Sequence, residues 1–136
     1  MYSVLVISHG PMAENIIKTS EMILGKQEEL FSLSLSPGEG KESFENKMES
    51  FLEKNKEKEI LVLADLYGGT PFNSTIPQML KNKYKLGFLT GVNLPMVIEA
   101  LLNKDTSIEN AINSIKKASL EGIQNVVEVL GNCDDE

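Results

Sequence analysis

Cysteine and histidine are nearly missing from this 136-residue chain, which holds one of each, Cys133 and His9. One thiol cannot form an internal disulfide. One thiol and one imidazole also fall short of a dedicated zinc site, so neither a metal nor a cofactor is expected. No apolar run approaches the roughly 20 residues that span a bilayer. The N-terminus has no basic stretch before Val4-Leu5-Val6-Ile7, and that run is too short for the core of a signal peptide. A cytoplasmic location is expected. Positive charge is in short supply as well: 13 Lys and Arg face 20 Asp and Glu, for a net charge of −7. Attraction to nucleic acid or to an anionic membrane surface is therefore not expected. Repeats, low-complexity tracts and linkers are absent, and residues 1–136 are expected to form a single domain with an ordinary core.

What is present is an alternation of apolar runs with helical patterns, the mark of an α/β protein with a parallel sheet. Ser3 to Ser8 reads as a buried first strand. After Gly10-Pro11, the residues Met12, Ile16, Ile17, Ser20, Ile23 and Leu24 share one helical face, and Gly25 can stop that helix. Leu30 to Leu35 is the expected second strand, turned by Ser36-Pro37-Gly38. The charged stretch from Lys41 to Glu59 carries Phe44, Met48, Phe51 and Leu52 at helical spacing and reads as a solvated amphipathic helix. Ile60 to Ala64 is the third strand. Thr70-Pro71 opens a third helix with threonine as its cap, and Pro77 should kink or shorten it. Leu86 to Thr90 is a fourth strand, followed by a short helix from Leu94 to Leu102. Thr106-Ser107-Ile108-Glu109 reads as a capping box for a fifth helix through Ile115. Ile123 to Leu130 has the β-branched content of a last strand. The expected fold is thus a three-layer, doubly wound, mostly parallel sheet in the order 2-1-3-4.

In such a sheet ligands collect beyond the carboxyl ends of the strands, where the strand order reverses. That point lies between the first and third strands, so His9 and Asp65 are expected at one crevice. A neutral imidazole nitrogen is a good nucleophile toward a phosphoryl group, and a carboxylate on the other ring nitrogen fixes the tautomer. Gly68-Gly69-Thr70-Pro71 leads into a helix whose free N–H groups and dipole can hold phosphate oxygens, with the Thr70 hydroxyl as a further donor. Each feature alone also has a structural reading. A His-Gly after a strand often only caps a helix, Asp65 equally so, and Gly-Gly-Thr-Pro is common turn chemistry. No GxxxxGK[ST] or GxGxxG occurs, which leaves a nucleotide unsupported as direct phosphoryl donor.

Three blocks, Val4 to Gly10, Ala64-Asp65-Leu66-Tyr67-Gly68-Gly69-Thr70-Pro71-Phe72-Asn73 and Thr90-Gly91-Val92-Asn93-Leu94-Pro95-Met96, resemble in order the enzyme IIA domain of the mannose-type (mannose, fructose, sorbose) sugar phosphotransferase system. The resemblance implies a phosphotransferase in which His9 takes a phosphoryl group from phospho-HPr. His9 then passes it to a histidine of the IIB component, which serves membrane IIC and IID components in sugar uptake. It implies that Asp65 orients the imidazole and that Thr70 contacts the phosphoryl group. It further implies a homodimer, with an antiparallel C-terminal edge strand, matched by Ile123 to Leu130, crossing to the partner subunit. The chain stops soon after that strand, so no fused IIB domain is expected. Tyr67 stands at a position that is often another aromatic. A phosphotransfer subunit of a phosphoprotein-dependent dihydroxyacetone kinase shares the fold and the N-terminal histidine, but the full block from Asp65 to Asn73 looks like the sugar-transport branch. A regulatory module that senses phosphorylation state is the alternative of another class, although 136 residues leave no room for a DNA-binding domain. The transported sugar is not legible, because this step handles only phosphate.

Overall fold

The computed structural model describes residues 1–134, with backbone alone for 132–134. The acidic end Asp135-Glu136 lies outside the described residues. Strands β1 (Tyr2–His9), β2 (Leu30–Leu35), β3 (Glu59–Ala64) and β4 (Lys85–Thr90) form one all-parallel sheet in the order β2-β1-β3-β4. Between and after them run α1 (Met12–Leu24), α2 (Lys41–Lys54), α3 (Thr70–Leu80), α4 (Leu94–Leu102), α5 (Ile108–Glu121) and α6 (Val126–Asp134).

The unbroken apolar runs of β1 and β3 follow from burial on both faces of the sheet. Val4 and Val6 point with Leu61 and Leu63 into a core completed by α1, α4 and α5, including Ala13, Val97 and Ile115. Leu5 and Ile7 point the other way with Ile60, Val62 and Ala64, onto Phe44, Met48 and Leu52 of α2. The solvated helix expected over the charged stretch is therefore α2, packed as its spacing required. The apolar face of α1 is narrower than its pattern. Ile16, Ile17 and Leu24 reach the core, while Met12 and Ile23 stay exposed.

Several boundaries move by one residue, each for a visible reason. Gly69, not Thr70, is the N-cap of α3: its carbonyl accepts the first helical bond, from Asn73 N–H at 2.8 Å, and Thr70 is already helical. Ser107 caps α5 by accepting from Asn110 N–H at 3.2 Å, while Thr106 only receives the Asn110 side-chain amide. Helix α3 continues three residues past Pro77 and ends at Leu80, with Lys81 N–H returning to the Pro77 carbonyl at 3.2 Å.

The expected C-terminal strand is corrected. The sheet has no antiparallel fifth strand among the described residues, and Val126–Asp134 is helical. A strand needs a neighbour to receive its N–H and C=O groups, whereas a helix satisfies them within itself. Asn125 starts this helix, its carbonyl accepting from Val129 N–H at 3.1 Å and its side chain from Glu128 N–H at 3.4 Å. The valines that resemble a strand remain in solvent, Val127 at 81% exposure.

Candidate functional site

Strand β1 is buried from Tyr2 through Ser8 and surfaces at its last residue, His9. Gly10 then takes a left-handed conformation (φ 58°) while its N–H donates to Leu35 O of β2 at 2.8 Å, so the chain leaves the sheet at a fixed point. Ser8 is fully buried beneath this turn. Its hydroxyl donates to Gly10 O at 3.1 Å and accepts from Ala13 N–H at 2.8 Å. It thus takes over the capping of α1, since Pro11 at the cap position makes no side-chain cap bond.

Across the crevice, Asp65 follows β3 and is held by its own N–H, which donates to Ile7 O at 3.1 Å. One carboxylate oxygen, Oδ2, accepts from the His9 backbone N–H at 2.9 Å and lies 2.8 Å from His9 Nδ1. The Asp65 side chain is 10% exposed and that of His9 44%, so the carboxylate is screened and the ring is open. Since a carboxylate can only accept, the proton of the neutral imidazole belongs on Nδ1, and Nε2 keeps its lone pair. The other oxygen, Oδ1, is buried with no partner among the described residues.

The far edge of the ring rests on the diglycine. A Cβ placed on Gly69 would lie 2.6 Å from His9 Cε1 and 3.2 Å from Nε2, so any larger residue would displace the ring. Gly68 needs the same residue type for a different reason, its φ of 88°. Beyond them α3 begins. The N–H groups of Gly69, Thr70 and Phe72 precede its first internal bond and, with the positive end of its dipole, face outward. Pro71, second in the helix, has no N–H to contribute. The Gly68 carbonyl accepts from the Asn73 side-chain amide at 3.0 Å.

The structure therefore brings together His9, Asp65 and Gly69, and places Gly68 and Thr70 in the adjoining turn. Ser8 and Asn73 support this turn and the one after β1, and residue-type reasoning assigned neither a role. A serine directly before the histidine was the available signal for the first. The block from Thr90 to Met96 follows β4 and, among the described residues, makes no hydrogen bond to the imidazole. Val92 N–H donates to Ala64 O at 3.0 Å, and Asn93 caps α4 while its amide reaches Ser119 O. Beside it opens a groove of about 510 Å³ whose wall includes Tyr67, Phe72, Phe88, Asn93 and Ile123. Phe72 links Tyr67 and Phe88, with ring centroids 4.8 and 5.4 Å apart.

A doubly wound parallel domain that offers one imidazole nitrogen at its switch point, with a screened carboxylate behind it and a helix N-terminus beside it, has the layout of a group-carrying protein. Residues 3–117 match the family described as the PTS system fructose IIA component, and the chain belongs to that phosphotransferase-system family. The mannose-specific EIIAB component of Escherichia coli K12 is 32% identical over 90% of this chain, which spans 38% of that relative's length. The fructose-specific EIIA component of Bacillus subtilis is 29% identical over 91% of this chain and 86% of its own. Among solved structures, the phosphotransferase system component EIIA from Streptococcus agalactiae superposes with a TM-score of 0.87 at 28% identity, covering 94% of this chain and 99% of that one. Among the described residues no helix is long and apolar enough to cross a membrane.

Proposed function

We propose that this chain is a phosphoryl carrier of a sugar phosphotransferase system, with His9 Nε2 as the atom that carries the group. The observation that bears most weight is the single carboxylate oxygen shared by the His9 backbone and Nδ1, which leaves Nε2 as the free nucleophile. Nε2 attacks the phosphorus of a phosphohistidine on HPr in line. The donor P–N bond breaks, its electron pair returns to the donor imidazole, and a new P–N bond forms at Nε2. The Nδ1 proton stays in its bond to Asp65, whose charge stabilises the imidazolium. The Gly69 and Thr70 N–H groups and the Thr70 hydroxyl receive the equatorial oxygens. A histidine of a IIB component then takes the group by the reverse attack, on the route to membrane IIC and IID components. Both exchanges trade one P–N bond for another, so positioning matters more than driving force.

This reading places the protein in the cytoplasm with its donor and requires neither metal nor cofactor. Homodimer formation belongs to it too, supported by the exposed apolar residues Ile123, Val126, Val127 and Leu130 at one end of the chain. Incubation with HPr, enzyme I and labelled phosphoenolpyruvate tests the central claim. Label is expected on the native chain and not on His9→Ala; label that still enters His9→Ala refutes the assignment. Asp65→Ala is expected to slow transfer while the protein stays folded.

A further inference from the structure

The two glycines that make room for His9 also create a weakness. A peptide plane between two residues without Cβ atoms turns over at little steric cost. The plane joining Gly68 to Gly69 is of this kind, and its orientation decides what the site presents. With the Gly68 carbonyl directed back toward α3, the anti N–H of Gly69 points off the helix end, alongside the free donors of Thr70 and Phe72. With the plane turned over, a carbonyl oxygen would face the incoming phosphoryl group and repel it.

One side chain selects between these states. The Asn73 amide donates to Gly68 O at 3.0 Å, reaching back from the first turn of α3 across the whole turn. The Asn73 backbone N–H meanwhile bonds Gly69 O at 2.8 Å, so one residue grips the carbonyls on both sides of Gly69. Asn73 is exposed, and its amide makes no other hydrogen bond among the described residues that would account for its place. We propose that Asn73 is a positioning residue that locks the Gly68–Gly69 peptide with its N–H toward the phosphoryl group on His9. It rests on the carrier reading above for its functional half, but the peptide lock itself is a property of the unphosphorylated protein.

Two measurements on Asn73→Ala separate the two halves. In the unphosphorylated protein, 15N relaxation dispersion at the Gly69 amide is expected to show microsecond-to-millisecond exchange that the native chain lacks. In single-turnover transfer from phospho-HPr, the rate at saturating donor is expected to fall about tenfold, the order of one lost hydrogen bond amplified at a transition-state donor. The donor concentration at half-saturation and the melting temperature should hardly move. Exchange at Gly69 with an unchanged rate removes the positioning role. A slower rate without exchange overturns the lock, and no change in either overturns both. A native chain that takes no label from phospho-HPr while the variant shows exchange refutes the carrier reading and leaves the lock standing.

Discussion

Replacing Gly69 with alanine perturbs the site at one contact and little else. Gly69 has a φ of −80°, a value alanine adopts without strain, so the backbone has no reason to move. The new methyl carbon would sit 2.6 Å from His9 Cε1, whereas carbon atoms rest at about 3.5 to 4.0 Å. The ring must therefore give by roughly 1 Å. It cannot slide toward Asp65, because Nδ1 is already 2.8 Å from Oδ2 and the His9 N–H holds the same oxygen. It has to swing out into solvent, where it is already half open, and lose the Nδ1 contact. A hydrogen bond to a charged group is worth about 1.5 to 3 kcal/mol, and a reacting atom displaced by 1 Å loses on the order of a hundredfold in rate. Single-turnover transfer from phospho-HPr, followed by rapid quench, should thus drop about a hundredfold in Gly69→Ala. Urea denaturation should register the lost bond as well, a fall of at most about 1.5 to 3 kcal/mol. Imidazole 15N shifts should report a mixture of tautomers in place of one. A native transfer rate together with native nitrogen shifts would refute the claim that the ring must lie against Gly69.

Other consequences are open to equally direct checks. Ser8→Ala removes the side-chain acceptor for Ala13 N–H at the buried start of α1 and should cost about 1 to 2 kcal/mol in urea melts, while Ser8→Thr keeps the hydroxyl and loses less. Tyr2 is buried, its hydroxyl donates to Ala100 O, and desolvation with help from Glu99 and Glu59 raises its pKa from 10.0 to about 12. A raised folded pKa stabilises fully below the unfolded value, so stability should hold up to pH 10 and decline between 10 and 12. Tyr2→Phe should be less stable at neutral pH and lose this alkaline decline, as measured by denaturant melts across pH. At the other extreme, the Ser43 hydroxyl, the Ser36 N–H and Lys47 hold Glu39 at about 2, below its usual 4.5. A lowered folded pKa stabilises above the unfolded value, so that share should fade as pH falls from 4.5 toward 2, and a Glu39→Gln variant should show a flatter acid limb.

The elements that bury a face were legible because burial imposes a period. Val4 to Ile7 and Ile60 to Ala64 could only be strands covered on both sides, and Phe44, Met48 and Leu52 could only be one side of a helix. The meeting of His9 with Asp65 followed from strand order alone. What escaped depends on geometry that spacing does not encode. Val126, Val127 and Val129 look like a strand, but β-branched residues favour a ladder only where a neighbouring strand exists, and Asn125 offered a helix start instead. Thr70 looked like the cap because threonine usually is one, yet a glycine was required at the position beneath the imidazole and that glycine became the cap. Asn73 was invisible as a clamp because its amide reaches back five residues around a left-handed glycine.

The placement of His9 at the exposed end of the most deeply buried strand has a mechanical consequence. Its anchor has no play: six consecutive residues from Ser3 to Ser8 are locked in the core, and Asp65 hangs from the same strand through Ile7 O. Met12, Leu66 and Tyr67 in the two flanking segments are, by contrast, large apolar side chains left exposed, Tyr67 with one side against Phe72. On the carrier reading proposed above, rigidity and partner contact would fall to different residues. These three could then be exchanged without disturbing His9, whereas a change of volume at Val6 or Ile7 would shift His9 and Asp65 together.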